Sequence, residues 1–193
     1  MSIGDLWKTL FVLVLFVVAA WSATLWPNIV VVDIPNPLVD GVIAEGEYTD
    51  AVILNEFEVY VFNDEEFVYI GLKSPGRGWV AIGFSPVEVH GGANFLFGAV
   101  VDGVVLVSDE YGFGRFEHDL DTSLGGTNNI VEYAGVEEVG TVIEFKIPLD
   151  SGDVFDTVLE KGKSYSIIVA YHESMDDFQL KHTERFRKSI TIK

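Results

Sequence analysis

The 193-residue chain contains no cysteine. That absence excludes disulfides, thiolate metal sites, iron–sulfur clusters and covalent cofactor attachment through a C-x-x-C-H motif. Methionine is nearly absent too, with only Met175 beyond the initiator, so any metal ligand set must come from oxygen and from four histidines. Cations are scarce: 12 Lys and Arg stand against 30 Asp and Glu, a net charge of −18. Nucleic acid is therefore excluded as a partner, because its binding needs clustered positive charge. Five of those 12 cations (Lys181, Arg185, Arg187, Lys188 and Lys193) crowd into the last thirteen positions, making a local cationic island. Hydrolase and nucleotide motifs are missing as well. There is no G-x-S-x-G and no Walker loop, and His172-Glu173 lacks the second histidine of H-E-x-x-H. In so acidic a chain, neighbouring carboxylates carry little evidence for acid–base catalysis. The residues alone therefore give little support to catalysis by this domain.

What is present is apolar and β-prone. Hydrophobic residues make up 49% and aromatics 13%, with 19 glycines, which fits one well-buried, β-rich domain. The single long hydrophobic run lies at the start. Thr9 to Trp26 carries no charge, follows Lys8, and ends near the small residues Ser22 and Ala23. Residues 1–26 are expected to be a signal peptide or an N-terminal hydrophobic helix anchoring the chain in the membrane. The imperfect cleavage site and the flanking Trp7, Trp21 and Trp26 favour the anchor. Either form exports the rest of the chain to the outer face of the cytoplasmic membrane or beyond. Residues 27–39, broken by three prolines, are expected to be a linker that becomes an edge strand.

From residue 40 onward the pattern has period two. Phe57, Val59 and Val61 share one face of EFEVYVFN, and Phe67 to Lys73 alternates likewise. The NDEE connection and Asp102-Gly103 read as hairpin turns. Strands are also expected at 79–84, 94–101, 130–133, 141–147, 165–171 and 189–192, with a long loop over 110–129 and one helical turn within 149–159. Nine or ten short strands with no helical periodicity predict an all-β, antiparallel, immunoglobulin-like β-sandwich over residues 40–193.

The histidines carry most of the remaining information. His118 sits in the acidic segment RFEHDLD and reads as a solvated loop residue, and His172 ends a strand, where backbone hydrogen bonding accounts for it. Asp109, Glu110, Asp119 and Asp121 offer oxygens for calcium, although their spacing matches no EF-hand. His90 and His182 lie on loops that leave the sandwich, 92 residues apart. Taken alone, each reads first as structural.

The blocks GWVAIGFSP, HGGA, VVDG, LGGTNNI, GTVIEFKIPLDSGD and KHTERF together resemble the DOMON domain of extracellular b-type cytochrome modules and dopamine β-monooxygenase-like proteins. The resemblance implies non-covalent haem b. In haem-binding members one axial ligand, commonly methionine, precedes a Gly-Ala pair after the G-W-V-A-I-G-F strand, and a histidine near the C-terminus supplies the other. Here those places hold His90 and His182, implying bis-histidine ligation. Imidazole suits iron, and two of them leave no open coordination position, so electron transfer to a redox partner protein or membrane complex is the expected role. Trp79, Phe84, Phe95, Phe97 and Tyr171 are candidate walls of the haem slot, and Lys181 and Arg185 are candidate partners of the propionates. Two other functions fit the same sandwich. One is a carbohydrate- or ligand-binding module without haem, and the other a structural surface-assembly subunit.

Overall fold

A computed structural model describes residues 35–85, 92–114 and 117–193. The expected N-terminal helix and residues 27–34 of the expected linker lie outside the described residues, as does His90. Among the described residues no helix is long and apolar enough to cross a membrane. The compact unit they form begins at Pro35.

Alternation builds two sheets. The strands are β1 (Asp50–Leu54), β2 (Phe57–Asn63), β3 (Phe67–Lys73), β4 (Val80–Ser85), β5 (Ala93–Val101), β6 (Val104–Gly112), β7 (His118–Leu120), β8 (Glu132–Glu137), β9 (Thr141–Pro148), β10 (Ser164–Tyr171) and β11 (Glu184–Thr191). The five-stranded sheet runs β1-β2-β3-β9-β8 and the six-stranded sheet β11-β10-β4-β5-β6-β7. Every pairing is antiparallel. The main core lies between the sheets: Phe57, Val59, Val61, Ile70, Leu72, Ile143 and Phe145 from one, and Val80, Ile82, Phe84, Leu96, Ile167 and Val169 from the other. Each such side chain contributes about 1.5–3 kcal/mol relative to exposure.

The β-sandwich expected from the sequence is present, and its hairpin chemistry holds in detail. Asp102 and Gly103 both take positive φ, 50° and 79°, the two-residue turn whose twist matches its flanking strands. Several details differ: β8 runs from Glu132 to Glu137 and not over 130–133, β11 begins at Glu184 and not at 189, and three segments change character. Residues 35–39 form no strand, and the edge strand is β1, further on. The expected loop over 110–129 instead continues β6 to Gly112, adds the three-residue β7, and closes with one helical turn, α1 (Asp121–Leu124), ended by Gly125 at φ 99°. Segment 149–159 holds no helix. It makes a turn closed by Asp156 N–H to Asp153 O at 3.3 Å, and Leu159 N–H donates back to Leu149 O at 2.7 Å.

Candidate functional site

The six-stranded sheet has a second apolar face, turned away from the core. Odd positions of β4 and β5 and even positions of β10 point there, and the register sets Ala81 beside Phe97 and Ala170, and Gly83 beside Phe95 and Ile168. Small residues thus make a floor and aromatics stand around it. At Gly83 a Cβ would lie 2.3 Å from the Phe95 ring, so only glycine lets that ring lie flat there. Trp79, Ala81, Phe97, Ala99 and Ala170 form a buried cluster of their own, joined by Phe95 and Phe178. Trp79 meets Phe97 edge-on at 5.5 Å, and Phe178 lies 5.4 Å from Phe97.

One wall comes from the chain after β10. His172 N–H donates to Trp79 O (2.9 Å), and Trp79 N–H donates to Met175 O (3.0 Å). These bonds bring the two segments so close that a Cβ on Gly78 would sit 2.4 Å from Met175 O. His172 Nδ1 accepts from Ser174 and Met175 N–H at 3.2 and 3.0 Å, the backbone role expected of it. Beyond, a turn closed by Leu180 N–H to Asp177 O (3.0 Å) delivers Phe178, Lys181 and His182 to the rim.

The opposite wall is built on β6 and β7. Ser108 and Glu110 share the outward face of β6, and Ser108 Oγ donates to Glu110 Oε1 at 2.6 Å. Glu110, only 2% exposed, holds His118 Nδ1 through its other oxygen. The His118 ring stacks on Phe97 at 5.0 Å and 24°. A buried carboxylate that fixes one ring nitrogen sets tautomer and orientation and frees the other nitrogen to act as a ligand or hydrogen-bonding group.

Between these walls is a cavity of about 570 Å³, within the usual range for small-molecule sites. Its lining includes Trp79, Phe95, Phe97, Lys181, His182 and Arg185, which were named from sequence. Phe84 and Tyr171 do not reach it. Phe84 is in step with Val80 and Ile82 and is fully buried between the sheets; Tyr171 is in step with Ile167 and Val169 and stacks on Phe57 at 5.9 Å. Their aromatic character pointed to the slot, but strand parity sends them to the core. The residue that sequence reasoning missed is His118, which is a cavity wall rather than a solvated loop side chain. Its signal was faint: Ser108 and Glu110 put polar groups two apart on the face of β6 that begins with Val104 and Leu106.

No curated protein matches the chain. The family model described as the DOMON domain matches residues 55–172, more than half of the chain and every strand of the sandwich from β2 to β10. The match ends at His172, short of the rim segment that carries Phe178, Lys181 and His182. On the strength of that match, the chain belongs to the DOMON-domain family.

Proposed function

We propose that this domain is an exported b-type haem-binding module that relays electrons to a redox partner protein or membrane complex. DOMON domains are generally non-catalytic binding modules and occur in extracellular or secreted proteins, a family that includes haem-binding and other ligand-binding members. The observation that carries the reading is the cavity on the outer face of the six-stranded sheet, with aromatic walls and the imidazoles of His118 and His182 both on its lining. Its residues fit a haem. The floor and walls are apolar, the rim carries Lys181 and Arg185 for propionates, and the buried Trp79 Nε1 donor has no acceptor among the described residues. Bound there, haem supplies one-electron chemistry. The chain's part is to exclude water with Trp79, Phe95, Phe97 and Phe178, and to present imidazole nitrogen at the edge of the slot.

The resemblance to haem-binding members implies ligation by His90, where methionine is commoner, and His182. A second pairing, His118 with His182, is favoured by one specific observation: Glu110 already orients His118 as carboxylates orient metal-bound histidines. A reduced-minus-oxidised spectrum of the full chain tests both. A Soret band with sharp α and β bands on reduction is expected, and His182→Ala abolishes that low-spin signature. Its loss in His90→Ala but not His118→Ala supports the first pairing, and the reverse supports the second. A protein that stays colourless and takes up no added haemin overturns the haem reading and leaves a carbohydrate- or ligand-binding module.

A further inference from the structure

A second cluster lies away from the cavity, on the core-facing side of β6. Asp109 follows Val105 and Val107 in the inward register, yet it is a carboxylate, only 3% exposed. Asp121, first residue of α1, is 0% exposed, and Asp156 comes from the loop after β9. Each offers one carboxylate oxygen, and the three oxygens all lie within 4.8 Å of one another. Three acids so close need a reason, since desolvated charge costs several kcal/mol when nothing compensates it.

The hydrogen bonds supply only part of one. Asn94 Nδ2 and Ser151 Oγ donate to Asp156 at 2.6 and 2.5 Å, and Asn129 N–H donates to Asp109 Oδ2 at 2.8 Å. Both oxygens of Asp121, Oδ1 of Asp109 and Oδ1 of Asn94 are buried without a donor among the described residues. Three of these four buried acceptors belong to the carboxylates themselves and the fourth to Asn94, and buried acceptors of this kind call for a partner. A small void adjoins it, bordered by Asn94, Asp109, Asn129 and Asp156 and also by the apolar Leu96 and Ile147. Burial first, and then the neighbouring carboxylates, push the Asp109 and Asp121 carboxyls up to about 7, which is the crowding a cation would relieve.

We propose that Asp109, Asp121 and Asp156 bind a calcium ion, with Asn94 Oδ1 as an adjoining oxygen donor. All the donors are hard oxygens, which selects against zinc and copper. Calcium takes about six to eight oxygens in flexible geometry, whereas magnesium keeps most of its waters and is held by about one or two carboxylates, so three carboxylates gathered at one point favour calcium. The site differs from the acidic loop expected from sequence: Glu110 turns to the other face to hold His118, Asp119 caps its own Leu120 N–H at 2.8 Å, and Asp156 replaces them. The ion would join three segments distant in sequence: β6, the β7–α1 junction and the loop after β9. Because Asp121 directly follows β7, which pairs with β6 through only three residues, the ion would also steady the strand that carries His118.

The test is calorimetry and thermal melting of the purified full-length chain, stripped with a chelator and titrated with CaCl2 or MgCl2. One calcium per chain is expected. At a hundredfold excess over Kd the melting temperature should rise by about 5–10 °C, and magnesium should give less than half of that. Asp121→Asn should weaken calcium binding at least tenfold while melting, without calcium, no lower than the wild type, because it removes an uncompensated buried carboxylate. Asp156→Asn should weaken binding likewise and serves if the first variant fails to fold. Absence of stoichiometric uptake, undiminished binding by both variants, or magnesium matching calcium would each overturn the site. Haem plays no part in these readings, so they stand apart from the spectra above.

Discussion

The two outer faces of the sandwich start from the same alternation and end differently. On the five-stranded sheet the outer face is covered by the chain's own segment before β1. Glu144, which points outward from β9 and is fully buried, receives Tyr48 Oη at 2.6 Å, Gly41 N–H at 2.7 Å and Asp40 N–H at 3.2 Å. Gly41, at φ 89°, lies against the Gly135 backbone, where a Cβ would come within 3.1 Å. The six-stranded sheet is left with its cavity. There the buried Glu110 has two side-chain partners, and one of them is a histidine facing the cavity. One buried glutamate closes a face with the chain's own donors; the other equips a face to receive something.

The largest expected effect separates core from cavity. Phe84→Ala empties the space between the sheets and should cost about 3–5 kcal/mol in chemical denaturation. Phe97→Ala, on the open face, should cost clearly less while weakening ligand uptake at least tenfold. Equal losses of stability would mean that the outer face is a second core and not a site. Next in size is Glu144→Ala, which leaves a buried hydroxyl and two N–H groups without their acceptor. A loss of about 2–4 kcal/mol is expected, with haemin uptake by the folded fraction unchanged. If uptake falls in step with stability, the two faces are coupled and the comparison fails.

A pH series sharpens the same contrast. Burial raises the Glu144 carboxyl above its ordinary value, against the lowering effect of its hydrogen bonds to Tyr48, Gly41 and Asp40 and with a further upward push from Glu47. A carboxyl whose folded pKa is raised adds most stability below its unfolded pKa and loses it as pH rises through the folded value. The stability of wild type relative to Glu144→Gln should therefore fall as pH rises above the ordinary glutamate range. A flat or rising difference would show that the donors already favour the ionised form.

Much of this was readable from sequence where period two persists for five residues or more. β2, β3, β4, β5, β9 and β10 declare themselves through Val, Ile and Phe, and Asp102-Gly103 fixes one hairpin register. β7 could not be read, since three residues, HDL, carry no period, and the strand exists because it pairs with β6. β1 was equally obscure, because Ala51 to Leu54 is an unbroken apolar run with no alternation, although Ile53 is exposed. At the site, Trp79, Phe95 and Phe97 were legible as aromatics near the G-W-V-A-I-G-F strand. Parity, applied strictly, would have removed Phe84 and Tyr171 as well. His118 was hidden because its partner Glu110 lies eight residues away across a turn, and only the pairing of Gly112 with His118 brings the two together. Asp156 was hidden for a stronger reason, since only tertiary folding sets it beside Asp109 and Asp121.

The smallest expected effect falls on the open face and concerns orientation more than stability. Glu110→Gln keeps the size of the side chain and an acceptor for the His118 Nδ1 proton, so stability should change by only about 1 kcal/mol. What it removes is the carboxylate that makes this hydrogen bond charge-assisted. The Nδ1 proton of His118 should give a protected, downfield NMR signal in the wild type, and in Glu110→Gln that signal should move upfield or exchange away. Ser108→Ala, which removes only the donor to the other Glu110 oxygen, should leave it nearly in place. If instead Glu110→Gln costs as much stability as Glu144→Ala, the glutamate on the open face is a structural plug like its counterpart, and holding His118 towards the cavity is incidental to it.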